Sequence, residues 1–279
     1  VQGPVLAQQS APDRLNDLLT ADWEWRLEQS PTFASSLGDP RYNDRWPDES
    51  LAAYQRRHDH RIGLLQQLDA IDADALTGQD RISHRLFRRE LKGEIDGFRF
   101  GGHLMPINQR GGIQDENSLA DSMTFSTVRD YENWITRLNI FPAYMDQTIE
   151  LLQEGVRRNV VHAQVVMKRV PAQIRRQIVD DPDRSLFYKP FRDMPSSIEP
   201  VEKQRLQAAA RKAIAERVVP SFQRLATFFD DTYLPACFAR VGISQIPDGQ
   251  DYYAHRARVF TTTELSPQEI HNIGLSEVK

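Results

Sequence analysis

A chain of 279 residues with 40% hydrophobic and 27% charged residues carries enough apolar material to bury a sizeable core. Its 35 Lys and Arg against 39 Asp and Glu leave a formal net charge of -4, which argues against an electrostatic nucleic-acid binder. The single cysteine, Cys237, excludes intramolecular disulfides and a cysteine-based zinc cluster, and no apolar run approaches the ~20 residues needed to span a bilayer.

Residues 1–12 are mostly small and uncharged and read as a flexible remnant of an export leader. Residues 13–279 read as one helical domain, incomplete at its carboxyl end. Leu15, Leu18, Leu19, Trp23 and Leu27 share one face of a first helix, which Ser30-Pro31 stops. A second helix is predicted from about Ser50 to Ile71. A third runs from about Gln79 to Phe98, with Ile82, Leu86, Phe87, Leu91 and Ile95 inward. Periodicity fails between Gly97 and Phe125, a glycine-marked stretch too long to be a plain connection.

Thr127 followed by Asp130 is a capping-box pattern, and an apolar stripe from Tyr131 to Val156 follows it, with Pro142 expected to bend the helix. Further helices are predicted over about 163–179, 201–218 and 220–238, the last two separated by a break at Pro220. Asp251 to Thr263, with two tyrosines and three threonines, reads as a strand or hairpin arm. Ser266-Pro267-Gln268-Glu269 then starts a final helix, with serine as N-cap and glutamate reaching back. The fold class expected is mainly α: a multi-helix array with irregular loops and a small strand or hairpin near 251–263.

No nucleophile elbow, phosphate-binding loop or dinucleotide fingerprint occurs, and neither does His-Glu-x-x-His. His58 and His60 are two residues apart on a helix and point ~200° from each other, so they cannot chelate one metal. They read as an exposed polar face, and His84, among Arg85, Arg88 and Arg89, as a surface residue. Cys237 sits in an apolar run and reads as a buried, inert thiol. The loop Pro106 to Gln114 is the most suggestive segment. Gly111 and Gly112 allow a backbone to approach, and Asn108, Gln109 and Arg110 can grip a peptide. The arm from Asp248 to His255 is comparable, with Tyr252, Tyr253 and His255 on an extended edge.

Several of these segments occur in a telling order. They are Gly38-Asp39-Pro40-Arg41-Tyr42-Asn43-Asp44-Arg45, Asn108-Gln109-Arg110-Gly111-Gly112, Asp130-Tyr131-Glu132-Asn133-Trp134, Pro247-Asp248-Gly249-Gln250-Asp251-Tyr252-Tyr253 and Leu265-Ser266-Pro267-Gln268-Glu269-Ile270-His271. Together they resemble the amino-terminal half of the bacterial family catalogued as domain of unknown function 885. The resemblance implies a mostly helical protein about twice this length, similar to helical gluzincin-like zinc metallopeptidases. It implies export to the periplasm or medium, or anchoring as a lipoprotein. It also implies a zinc-binding His-Glu-x-x-His in a carboxyl-terminal half, so no zinc ligand or catalytic residue is carried over to this chain, which alone is expected to be inactive. Peptide substrate and the complementary carboxyl-terminal half are the expected partners. The alternative is a complete, non-catalytic helical binding module, whose last helix should then present a polar outer face.

Overall fold

A computed structural model describes residues 9–278. The chain is all-α. Its strand-like contacts, among the described residues, are isolated bridges between Asn108 and Gly111 and between Ala163 and Phe238. Residues 1–8 of the expected leader lie outside the described residues. Ser10 accepts from the Asp13 amide at 3.3 Å and caps the first helix.

That helix, α1 (Ala11–Gln29), is followed directly by α2 (Pro31–Ser36), because Pro31 supplies a preset φ at a helix start. The antiparallel pair α3 (Leu51–Asp69) and α4 (Gly78–Phe98) packs on α1. Leu15, Leu64, Leu68, Phe87 and Leu91 form the core they share. Of the residues expected inward here, Trp23, Ile82 and Leu86 stand exposed.

Short 3-10 turns carry the irregular 97–125 stretch to α5 (Val128–Arg158), the axis of the main core. Thr127 and Asp130 form the reciprocal capping box read from sequence. Tyr131, Trp134, Leu138, Phe141, Met145 and Leu152 follow the helical period into that core. Pro142 lies within α5, which runs on through it. The single helix expected over 163–179 is instead two short ones, α6 (Gln164–Met167) and α7 (Val170–Arg175), because Pro171 begins a new turn.

The break expected at Pro220 does not occur. α8 (Pro200–Ala213) passes through a π turn, Ile214–Val218, into α9 (Val219–Phe228). There the Val219 amide donates to the Ile214 carbonyl, and the wider turn makes room for a proline ring that cannot donate. A second π turn, Phe229–Tyr233, precedes Pro235 in α10 (Leu234–Ala236) in the same way.

The strand or hairpin expected over 251–263 is also overturned. Residues Gly249–Thr261 form α11, and α12 (Pro267–Glu277) follows. Tyr252, His255 and Val259 are spaced i, i+3, i+7 and turn one helical face toward α4. Packing on that face overrides the strand propensity of the aromatic and threonine residues. Ser266 and Glu269 cap α12 reciprocally, as read from sequence.

Candidate functional site

Three glycines, two on α4 and one in the turn after it, let α11 come close. A Cβ on Gly97 would lie 2.8 Å from the His255 ring, one on Gly93 3.4 Å from Val259, and one on Gly102 3.1 Å from the Tyr252 hydroxyl. Gly249 begins α11 where a Cβ would fall 2.3 Å from the Ile243 carbonyl, so no other residue fits there. At the other end, the Arg89 guanidinium of α4 donates to the Arg258 and Val259 carbonyls at 3.2 and 3.1 Å, capping the last turn of α11.

Between α3, α4 and α11 lies a cleft of 600 Å³. Tyr54, Phe98 and His103 of its wall belong to a run of stacked rings. His58 lies 4.0 Å from Phe98, Phe98 5.0 Å from His103, and His103 4.7 Å from Tyr54. The Arg57 guanidinium covers the Tyr54 ring at 4.2 Å, and the Tyr54 hydroxyl donates to the Glu49 carboxylate. Burial, with Arg158 and Arg57 nearby, pushes His103 down to about 4, so its ring is neutral at pH 7. Beside the Phe98 and His103 faces the cleft is lined by Arg57, Arg61, Arg89 and Arg256 and by Glu90 and Glu94, so it offers both flat rings and charged groups to a ligand.

Tyr252 and His255, both expected to bind substrate, line this cleft. Tyr253 is not among its lining residues and is exposed. The loop bearing Asn108, Gln109, Arg110, Gly111 and Gly112 does not line it either. That loop closes on itself. Asn108 and Gly111 exchange backbone hydrogen bonds at 3.0 and 3.3 Å, and the Arg110 amide donates to the Asn108 side chain at 2.8 Å. Gln114 and Gln173 side chains take up the Asn108 and Gln109 carbonyls at 2.9 and 3.0 Å. Gly112 holds φ 142 with the Pro106 carbonyl 3.0 Å from where a Cβ would sit. Most of the loop's backbone groups named here are thus spent on its own shape.

The histidines differ from their sequence reading. His84 is buried against the Leu68 carbonyl at 3.1 Å, because it falls i, i+3, i+7 with Phe87 and Leu91. His58 stacks on Phe98, and His60 stacks on Trp25 at 3.7 Å, so neither is a solvated face. Cys237 is buried, and desolvation pushes its thiol up to about 12, which makes it inert as expected.

Residues 31–279 match the family model described as bacterial protein of unknown function (DUF885). The chain belongs to this family. One solved structure, described as "the putative lipoprotein from Colwellia psychrerythraea", superposes with a TM-score of 0.88 at 18% identity, covering 97% of this chain and 49% of that one. This DUF885 chain spans about half the length of that protein, and the likeness is one of fold. No curated protein matches. The zinc implied by the resemblance does not fit the DUF885 residues present here. Among the described residues no three His, Cys, Asp or Glu side chains group to hold a metal ion, and His58, His60 and His103 are committed ring against ring. No helix of the described residues is long and apolar enough to cross a membrane.

Proposed function

We propose that this chain is the amino-terminal portion of an exported, zinc-dependent peptidase and forms one wall of its peptide-binding cleft. The metal and the general base belong to a complementary carboxyl-terminal half carrying His-Glu-x-x-His. The chain's own residues bind and orient. Tyr252 and His255 present polar edges from α11, and the Phe98–His103 stack supplies a flat, uncharged wall against which an extended peptide lies. Export to the periplasm or medium, with a lipid anchor as one route, is part of the same reading.

The observation that carries it is the open apolar surface of α11 and α12. Phe260 is 71% exposed, and Ile273 and Leu275 are exposed with it. A polar outer face would have favoured the non-catalytic module. An apolar one calls for a covering partner, and the carboxyl-terminal half is the partner proposed. Family membership and the half-length match are consistent with it.

The test compares hydrolysis of a mixed peptide library by these 279 residues alone and by the same chain joined to the His-Glu-x-x-His half. Zinc-dependent cleavage is expected only from the joined protein, with a raised KM in Tyr252→Ala. Cleavage by the 279 residues alone, or none by the zinc-loaded joined protein, overturns the reading.

A further inference from the structure

A second cleft, of 410 Å³, adjoins the first and lies between α1, α3 and α4. Asp22 of α1 lines it and is only 7% exposed. A carboxylate so deeply placed is normally paired or hydrogen-bonded. This one has no donor within hydrogen-bond distance among the described residues. His60 Nε2 stands 3.7 Å away and Arg26 Nε 3.8 Å.

The arginines of the cleft each hydrogen-bond a nearer acceptor, which leaves Asp22, among them, only a longer ion pair with Arg26. Arg26 donates to Glu90 at 2.6 Å, Arg57 to the Asp48 carbonyl at 2.7 Å, and Arg61 pairs with Glu94. Asp22 keeps only the two longer ion-pair contacts, to Arg26 and His60, and has no nearer hydrogen bond among the described residues. Desolvation raises its pKa from the ordinary carboxyl value, against the lowering pull of Arg26 and His60. Aromatic side chains share the lining with Arg26, Arg57, Arg61, Glu49 and Glu94. Trp23 is 44% exposed and Phe33 43%, their rings edge to face at 6.1 Å, and Trp25 lines the same cleft.

A buried carboxylate in a cleft that indole and phenyl rings also line suits one ligand chemistry. An anion would meet Asp22 unfavourably. A bare divalent cation lacks a group of three ligating side chains among the described residues. An organic ammonium satisfies both features, donating N–H to the carboxylate and lying against the rings.

We propose that this cleft is a binding site for a protonated primary amine, with Asp22 accepting from the ammonium and Trp23 and Trp25 flanking it. The ammonium comes from a lysine side chain or from the free amino terminus of a peptide. The site needs no hydrolysis and stands whether or not the peptidase reading holds.

The experiment is calorimetric titration, with tryptophan fluorescence alongside, using three probes: N-acetyl-lysine amide, alanine amide, and the neutral N-acetyl-alanine amide. Saturable binding of at least one amine is expected, about tenfold or more tighter than the neutral probe. Binding of the lysine probe alone assigns the side chain, of alanine amide alone the amino terminus, and of both a general ammonium site. Asp22→Asn should weaken amine binding about tenfold or more. Trp23→Ala, a surface change that leaves the fold intact, should weaken it too and remove part of the fluorescence response. Equal binding of the neutral probe, no saturation by either amine, or full amine affinity in Asp22→Asn overturns the proposal.

Discussion

Arg137 and Trp46 hold each other in place by a reciprocal arrangement. The Trp46 indole N–H donates to the Arg137 backbone carbonyl at 2.8 Å, and the Arg137 guanidinium lies 5.3 Å from the Trp46 ring. The same guanidinium is fully buried and donates to the Arg45 and Tyr42 carbonyls at 2.7 and 2.9 Å and to the Ser35 hydroxyl at 2.7 Å. One side chain of α5 thus gathers the end of α2 and the loop that follows it. Burial pushes Arg137 down to about 10, opposed by Glu116, so it remains a cation at pH 7. Its charge is answered mainly by carbonyl dipoles, which a shorter or apolar side chain would leave bare. Arg137→Met should cost about 3–5 kcal/mol in urea unfolding, and Trp46→Phe about 1 kcal/mol. A near-neutral Arg137→Met would show that the carbonyls find other donors.

Gly155 tests close packing on the opposite end of α5. A Cβ there would fall 2.8 Å from both the Leu104 and the Val160 carbonyl oxygens, atoms of backbone that cannot swing aside. Gly155→Ala should therefore destabilise by about 1–3 kcal/mol, although alanine is the better helix former. Gly63 of α3 has nothing within 4 Å of its Cβ position, so Gly63→Ala should stabilise by up to about 1 kcal/mol. Opposite signs in thermal melts of the two variants are the expected outcome. Equal signs would mean the helix near Leu104 shifts to accept a methyl group.

The docking of α11 on α4 can be loosened without unfolding the core. Arg89 is the side chain that takes up the last carbonyls of α11. Arg89→Met keeps the stem that lies along the cleft and removes the donors. Hydrogen exchange should show α11 amides losing about tenfold in protection while α5 amides are unchanged. Loss of protection spread evenly over both helices would indicate that α11 is part of the global unfolding unit.

What the sequence disclosed depended on how local each signal was. Thr127 with Asp130 and Ser266 with Glu269 are three residues apart, and both boxes form as read. In α11 the local signal points the other way, because Tyr252, Tyr253 and the threonines favour strand. The fact that decides it, the glycine face of α4, lies over a hundred residues away in the chain. His84 was legible after all, since its spacing to Phe87 and Leu91 is helical and only its arginine neighbours suggested solvent. Asp22 left a trace as well: seven residues after Leu15, it is an acid on an apolar stripe. That the arginines near it hydrogen-bond elsewhere depends on Glu90, Glu94 and the Asp48 carbonyl, and no periodicity records such a competition.

Glu116 makes stability depend on pH in an unusual direction. Its carboxylate accepts from the Tyr144 hydroxyl at 2.9 Å, yet burial pushes it up to about 7 from the ordinary 4.5. The native state therefore holds this proton more tightly than the unfolded chain does. Below pH ~4.5 both states are protonated and the group contributes no difference. As pH rises from ~4.5 to ~7 the unfolded chain releases the proton first, and the native state loses stability progressively, with the full penalty above ~7. Glu116→Gln keeps the acceptor for Tyr144 and cannot ionise. The variant should match the parent protein at pH 4.5 and exceed it by about 1–3 kcal/mol at pH 8, read from urea midpoints at the two pH values. Because each comparison is made at one pH, the remaining titrating groups cancel between variant and parent. A difference that does not grow between pH 4.5 and 8 would mean that Glu116 is ionised in the native protein at pH 4.5 as well, and that the Tyr144 hydrogen bond outweighs its desolvation.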